Sequence, residues 1–151
     1  MAKQAPAHVP SHSNELIEKF VNYIMLGGKK TTARKIFKDC MEIVKTRGYT
    51  KPQESFERAI RNVSPTLEVR AKRIGGSVYQ IPIEVQPKRQ MALAFRWLLG
   101  AARDKKGSPL ARRLANEIIE ACEGTGSAIK KKEDTFKMAQ ANKAFAHLAK
   151  Y

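Results

Sequence analysis

The stretch VRAKRIGGSVYQIPIEVQPKR, Val69 to Arg89, decides how this chain is read. From Thr66 onward apolar and polar residues alternate: Leu67, Val69 and Ala71 with Glu68, Arg70 and Lys72, then Tyr79, Ile81, Ile83 and Val85 with Gln80, Pro82 and Glu84. A period of two belongs to strands, whose successive side chains face opposite ways. Between the two runs, Gly75-Gly76 supplies the positive φ angles of a tight hairpin turn. Pro82 has no N–H to give a central ladder, so the spacing predicts a two-stranded ribbon with free edges, at about residues 66–86 and projecting from its surroundings.

Those surroundings read as helix. Leu16, Ile17, Phe20, Val21, Ile24 and Met25 recur at helical spacing, with Ser13 as N-cap and Gly27-Gly28 as the stop. Ile36, Phe37, Cys40, Met41 and Val44 repeat the pattern up to Gly48, giving a helical hairpin. Thr50 with Gln53 fits a capping box, Pro52 a first-turn position, and Phe56, Ile60 and Val63 a short third helix that Pro65 closes. Beyond the ribbon, Met91, Ala94, Phe95, Leu98, Leu99 and Ala102 mark one helix. Leu110, Leu114, Ile118, Ile119 and Cys122 mark another, with Pro109 at its first position, and Ile129 to Lys150 a last one. The expected fold is mainly α: a bundle of about six helices with one protruding β-hairpin. Residues 1–13 read as a flexible lead-in and 14–151 as a single domain, long enough to bury about 68–70% of its unfolded surface.

Lysine and arginine number 29 against 14 acidic residues, a net charge of +15. Such an excess says little about fold and much about partners, since it attracts polyanions. No apolar run approaches the ~20 residues that span a bilayer, and the charge is not confined to one face of one amphipathic helix, so no membrane partner is expected. MAKQAPAHVPSHSN has neither the apolar core of a secretory signal nor the arginines of a transit peptide. Cys40 and Cys122 each lie in an apolar helical pattern and read as buried free thiols of a reducing compartment. A cytoplasmic setting follows.

Chemistry-bearing groups are sparse. His8 and His12 have a ligand-like spacing, but Pro10 breaks the helix that would aim both rings at one metal; His147 stands apart. GGKKTT at 27–32 follows a helix and lacks the spacing of a phosphate loop, so it reads as a basic turn between helices. Glu133-Asp134, Glu117 and Glu120 read as solvated helix charges. No catalytic residue, metal or cofactor is expected.

The cations are clustered: Lys29, Lys30, Arg34, Lys35 and Lys38 after the first helix; Arg70, Lys72 and Arg73 on the ribbon; Lys88, Arg89 and Arg96 beyond it; Lys130, Lys131 and Lys132 opening the last helix. One such run ordinarily solvates a surface; four point to nucleic acid, whose phosphates supply most non-specific affinity. An architectural DNA-binding protein is the alternative to RNA binding. The small ribbon tip, Ile74-Gly75-Gly76-Ser77, lacks the wedge a DNA bender inserts and tilts the reading to RNA.

The blocks PTLEVRAKRIGGSVYQIPIEVQPKR, ALAFRWL and GTGSAIKKKEDTFKMAQANKAFAH resemble those of the bacterial-type small-subunit ribosomal protein seven family, a similarity running from about Glu15 to His147. The resemblance implies a helical domain with an extended hairpin that binds the 3′ major domain of small-subunit rRNA and starts assembly of the head. Such a protein lies beside neighbouring head proteins, near the mRNA exit path and the exit-site tRNA, and performs no catalysis. By matching position it implies rRNA contacts for Lys29, Lys30, Arg34, Arg70, Lys72, Arg73, Lys88, Arg89, Lys130, Lys131 and Lys132. Arg96 joins them as a cation just beyond the ribbon, Gln80 as a side chain that could hydrogen-bond RNA or equally satisfy a strand edge, and Asn142 and Lys143 as the polar members of the ANKAFAH block, whose Ala141, Phe145 and Ala146 read as helix packing. Phe95 and Trp97 read as core rather than as stacking platforms. Members of the family usually begin with an arginine-rich arm, which MAKQAPAHVPSHSN, with its one lysine, does not match. The implied location is a ribosome, bacterial or organellar.

Overall fold

The computed structural model describes residues 14–150. The lead-in 1–13, the Ser13 cap and the His8–His12 pair lie outside the described residues.

Helix α1 (Glu15–Ile24) opens on Asn14, whose Oδ1 accepts the Ile17 N–H at 2.8 Å. Glu15 and Glu18 lie in its first turn, where the helix dipole favours negative charge. The chain turns through Gly27 and Gly28, both at positive φ, into α2 (Lys30–Thr46). Helix α3 (Pro52–Val63) starts with Pro52 at its first position as expected, but the capping box does not form: Lys51 occupies the cap and its side chain accepts no bond from the first-turn N–H groups. Strands β1 (Leu67–Ile74) and β2 (Ser77–Glu84) follow, then α4 (Pro87–Asp104) and α5 (Leu110–Cys122). Pro109, at ψ 149°, is the residue before α5 rather than its first.

The last helix is shorter than its pattern predicts. Helix α6 (Ser127–Ala141) stops at Asn142, whose amide Nδ2 turns back to donate to the Met138 carbonyl at 2.8 Å. The chain then runs as a 3-10 segment, Lys143–Lys150. Burial explains the change of period: Asn142, Phe145 and Leu148 are half-buried and their neighbours exposed, a spacing of three that only a 3-10 turn lines up. Ala141 and Ala146, expected in a helix-packing surface, are exposed.

The core is aromatic at its centre. Phe20 of α1 meets Phe37 of α2, Phe56 of α3 and Phe95 of α4 at centroid distances of 5.8, 4.9 and 5.2 Å, so one side chain ties four helices. Rings at these separations attract beyond their area alone. Helix α5 runs through the bundle with Leu114, Ala115, Ile118 and Ala121 fully buried. The same stripe carries Glu117, also fully buried, which corrects its reading as a solvated charge. Lys105, from the loop before α5, places Nζ 2.6 Å from Glu117 Oε1 and 3.4 Å from Glu120 Oε2. The hydrogen bond and charge of Glu117 raise the pKa of Lys105 above its ordinary value, against the desolvation that lowers it. Cys40 and Cys122 are buried free thiols, as expected. Burial pushes Cys40 up to about 12 and raises Cys122 as well.

The ribbon is an antiparallel pair closed by Gly75 and Gly76, both at positive φ (57° and 85°), the conformation of a two-residue hairpin turn. That turn pairs Ile74 with Ser77, and every later pair follows: Lys72 with Tyr79, Arg70 with Ile81, Val69 with Pro82. Directly paired residues share a face. The register therefore crosses the two patterns, placing the polar residues of β1 beside the apolar residues of β2. Ile81 and Val85 mark the buried side, and Arg70 and Lys72 share it; Ala71, Arg73, Val78, Gln80 and Glu84 are exposed on the other. The expectation of a ribbon that merely projects is corrected at its root. There α6 lies against β1 and the 3-10 segment against β2, with the Phe145 ring tilted against Tyr79 at a centroid distance of 5.4 Å. The tip alone stands clear, its Val78 exposed.

Candidate nucleic-acid interface

Four helices open against the usual electrostatic preference. Helices α2, α4, α5 and α6 have no acidic residue in the first turn, where α1 and α3 have them. In those places stand Lys29 and Lys30, Lys88 and Arg89, Arg112 and Arg113, and Lys130. A cation beside the positive end of a helix dipole opposes folding by about 0.3–1 kcal/mol, so each of these termini concentrates positive potential at a cost to stability. Backbone N–H groups at the same ends add donors for an anion.

The sites differ in what surrounds them. At the α2 end, Arg34 Nη2 and Lys30 Nζ lie 3.0 and 3.6 Å from Oε2 of Glu18, whose side chain is only 8% exposed. A groove of about 580 Å³ between α1 and α2 is lined by Asp39 and Glu42 as well as Lys35 and Lys38, so acidic and basic groups share this end of the molecule. Lys29 stays exposed.

The other clusters are drawn together. Arg89 donates from Nε and Nη2 to Glu68 of β1 at 2.8 to 3.0 Å, a two-pronged contact, and Arg70 Nη2 lies 3.7 Å from the same carboxylate. The hydrogen bond to Glu68 raises the pKa of Arg89 further above its ordinary value. Gln90 Nε2 donates to the Val85 carbonyl at 3.0 Å, fixing the exit of β2 to the same turn of α4. Helix α6 lies beside β1, and its Lys130 and Lys131 are both exposed. Lys132 instead reaches inward, donating to the Asn62 carbonyl at 2.9 Å. Arg73, Gln80, Lys88, Arg96 and Lys143 are exposed; Lys72 is half-buried on the inner face, and Asn142 is occupied at the end of α6. Phe95 is buried and Trp97 packs against the core, as expected.

One part of this surface was missed by sequence reading. A cleft of about 170 Å³ between α1 and α4 is lined by Lys19, Asn22 and Tyr23 together with Lys88. Lys19 and Tyr23 are one helical turn apart beside the buried stripe of α1, which was the available signal. Lys19 is held 2.8 Å from Glu15, both well exposed. No described helix is long and apolar enough to cross a membrane, and no described group of three His, Cys, Asp or Glu is placed to hold a metal.

Comparison with known proteins agrees with this surface. Residues 1–143 match the family described as ribosomal protein S7p/S5e. The small ribosomal subunit protein uS7 of Natranaerobius thermophilus is 49% identical over 138 residues, covering 91% of this chain and 88% of the relative. The uS7 proteins of Pseudothermotoga lettingae (52% over 139 residues; 92% and 90% covered) and Thermotoga petrophila (51% over 138; 91% and 89%) are similarly related. With a match across nearly the whole length, and a cationic surface of the kind described, the chain belongs to the ribosomal protein S7p/S5e family.

Proposed function

We propose that the protein is a structural, non-enzymatic constituent of the small ribosomal subunit that binds the 3′ major domain of its rRNA. It starts assembly of the head beside neighbouring head proteins, with the ribbon near the mRNA exit path and exit-site tRNA. The observation that carries the RNA reading is that α2, α4 and α6 open with no first-turn acid and with Lys29, Lys88 and Lys130 exposed, whereas in α5, which also lacks a first-turn acid, Arg113 turns back to the Ala102 and Arg103 carbonyls; a chain accepts exposed cations at such ends in exchange for an anionic partner. Family membership and the names of the relatives support the ribosomal setting. The bacterial sources of those relatives favour a bacterial cytoplasmic ribosome over an organellar one.

The contacts assigned are Lys29, Arg70, Lys72, Arg73, Gln80, Lys88, Arg96, Lys130, Lys131 and Lys143, with Lys30, Arg34, Arg89, Lys132 and Asn142 contributing as their internal partners permit. A filter-binding titration with a 3′ major domain fragment tests this. Log affinity should fall with log salt at a slope of about −0.7 to −0.9 per phosphate contacted. A slope near zero overturns the phosphate reading, and equal affinity for duplex DNA favours an architectural DNA-binding protein.

A further inference from the structure

We propose that Glu68 is a positioning residue: through Arg89 it locks the ribbon to the first turn of α4, so that the ribbon's cations and Lys88 meet RNA in one preset arrangement. This rests on the RNA-binding reading above.

A carboxylate in the middle of an RNA-facing cationic surface repels phosphate, so its presence requires a gain elsewhere. Stability is a poor candidate for that gain, because exposed ion pairs add little and Arg89 is 46% exposed. Geometry is a better one. Glu68 is sheltered, its side chain 13% exposed, and it receives both Nε and Nη2 of Arg89, the fork that fixes orientation as well as distance. The two residues stand on different elements, β1 and α4, and Arg70 leans on the same carboxylate from two residues along the strand. Gln90 to Val85 and the Val85 N–H to the Thr66 carbonyl fasten the other corner of the ribbon's root. With both corners tied, the ribbon's angle to α4 is set before RNA arrives, and binding need not order it. Arg89 then acts inside the protein and Lys88, its exposed neighbour, outside it.

The full-length chain is compared with Glu68→Gln, Arg89→Lys and the swap Glu68→Arg with Arg89→Glu. Each is measured for affinity to the 3′ major domain fragment and to heparin, for chemical footprint, and for thermal unfolding. Glu68→Gln raises the net positive charge, yet its rRNA affinity should fall about tenfold, the order set by one or two side chains that must now be ordered on binding. Heparin affinity should hold or rise, and protection should be lost only from nucleotides facing the ribbon. Arg89→Lys keeps the charge and loses the fork, so it should reproduce the same footprint loss; it also decides the matter if Glu68→Gln does not fold. The swap should restore affinity and footprint. Glu68→Gln binding rRNA as tightly as the parent or more so, Arg89→Lys behaving as the parent, or a swap no better than Glu68→Gln would each overturn the assignment. A parent chain with no preference for rRNA over heparin would instead remove the reading beneath it.

Discussion

The helical body and the ribbon keep their side chains in order by different rules. In the body an apolar stripe stays a stripe: Phe20, Phe37, Phe56 and Phe95 sit where the spacing of each helix puts them, and they converge. In the ribbon each strand has a clean alternation, yet Gly75-Gly76 pairs the polar side of β1 with the apolar side of β2. A helix carries its face with it, whereas a strand acquires one only when its partner's register is known. The outcome is functional. The crossed register puts Arg70 and Lys72 on the same side as Ile81 and leaves Arg73 and Gln80 on the outer side, so cations are available from both faces of the ribbon.

Substitutions in the two regions test that contrast. Phe20→Ala removes the ring common to four helices and should cost about 3–5 kcal/mol, read as a lowered urea midpoint of the whole molecule. Ile81→Ala, at an equally buried site in the ribbon root, should cost about 2–5 kcal/mol. A ribbon that were only an appendage would show almost no effect there, so a near-neutral Ile81→Ala would mean that the ribbon's root is not part of the packed body.

Next in size is Lys105→Met, which leaves the buried Glu117 carboxylate without its ion partner and should cost about 1–3 kcal/mol near neutral pH. The pH dependence has a fixed sign. Because the folded pKa of Lys105 is raised, its contribution is complete below the ordinary lysine value of about 10.4 and disappears as pH climbs through the raised one. Urea midpoints of parent and variant should thus stay apart to about pH 10 and converge above it. The smallest effect belongs to the tip. Deleting Arg73, Ile74, Ser77 and Val78 removes two pairs, keeps the glycine turn and the register, and should shift stability by about 0.5 kcal/mol or less. Thermal unfolding by circular dichroism checks it; a large loss would mean the tip is part of the fold.

The helices and their core were legible because their signals are local: periodic apolar residues, Pro52 at a start, Gly after an end; single boundaries were less so, since Asn14 caps α1, Pro109 precedes α5 and α6 stops at Ala141. Glu117 was legible too, had its position been weighed over its charge, since 114, 117, 118 and 121 follow the spacing of one buried stripe. Its partner was not, because Lys105 comes from a loop that only the fold brings near. The crossed register was open to inference from the two-residue turn, which fixes odd against even residues. What sequence could not supply is which cations are already engaged. Lys30, Arg34, Arg89 and Lys132 look like their neighbours in a row of letters, and only packing gives them Glu18, Glu68 or the Asn62 carbonyl. The 3-10 segment was hidden for a similar reason: its period of three is imposed by the ribbon it covers, through Phe145 on Tyr79.

The two thiols give the molecule a pair of internal clocks. Thiolate rather than thiol attacks an alkylating reagent, so Cys40, fully buried on α2 with its pKa pushed to about 12, reacts only from states in which the bundle has come apart. Cys122 lies at the end of α5, its Sγ 2.7 Å from the Ser55 carbonyl, where a parting of α3 from α5 is enough to expose it. Labelling at Cys40 therefore times global opening and labelling at Cys122 times the loosening of one seam, and the ratio of the two rates separates breathing from unfolding in the native chain.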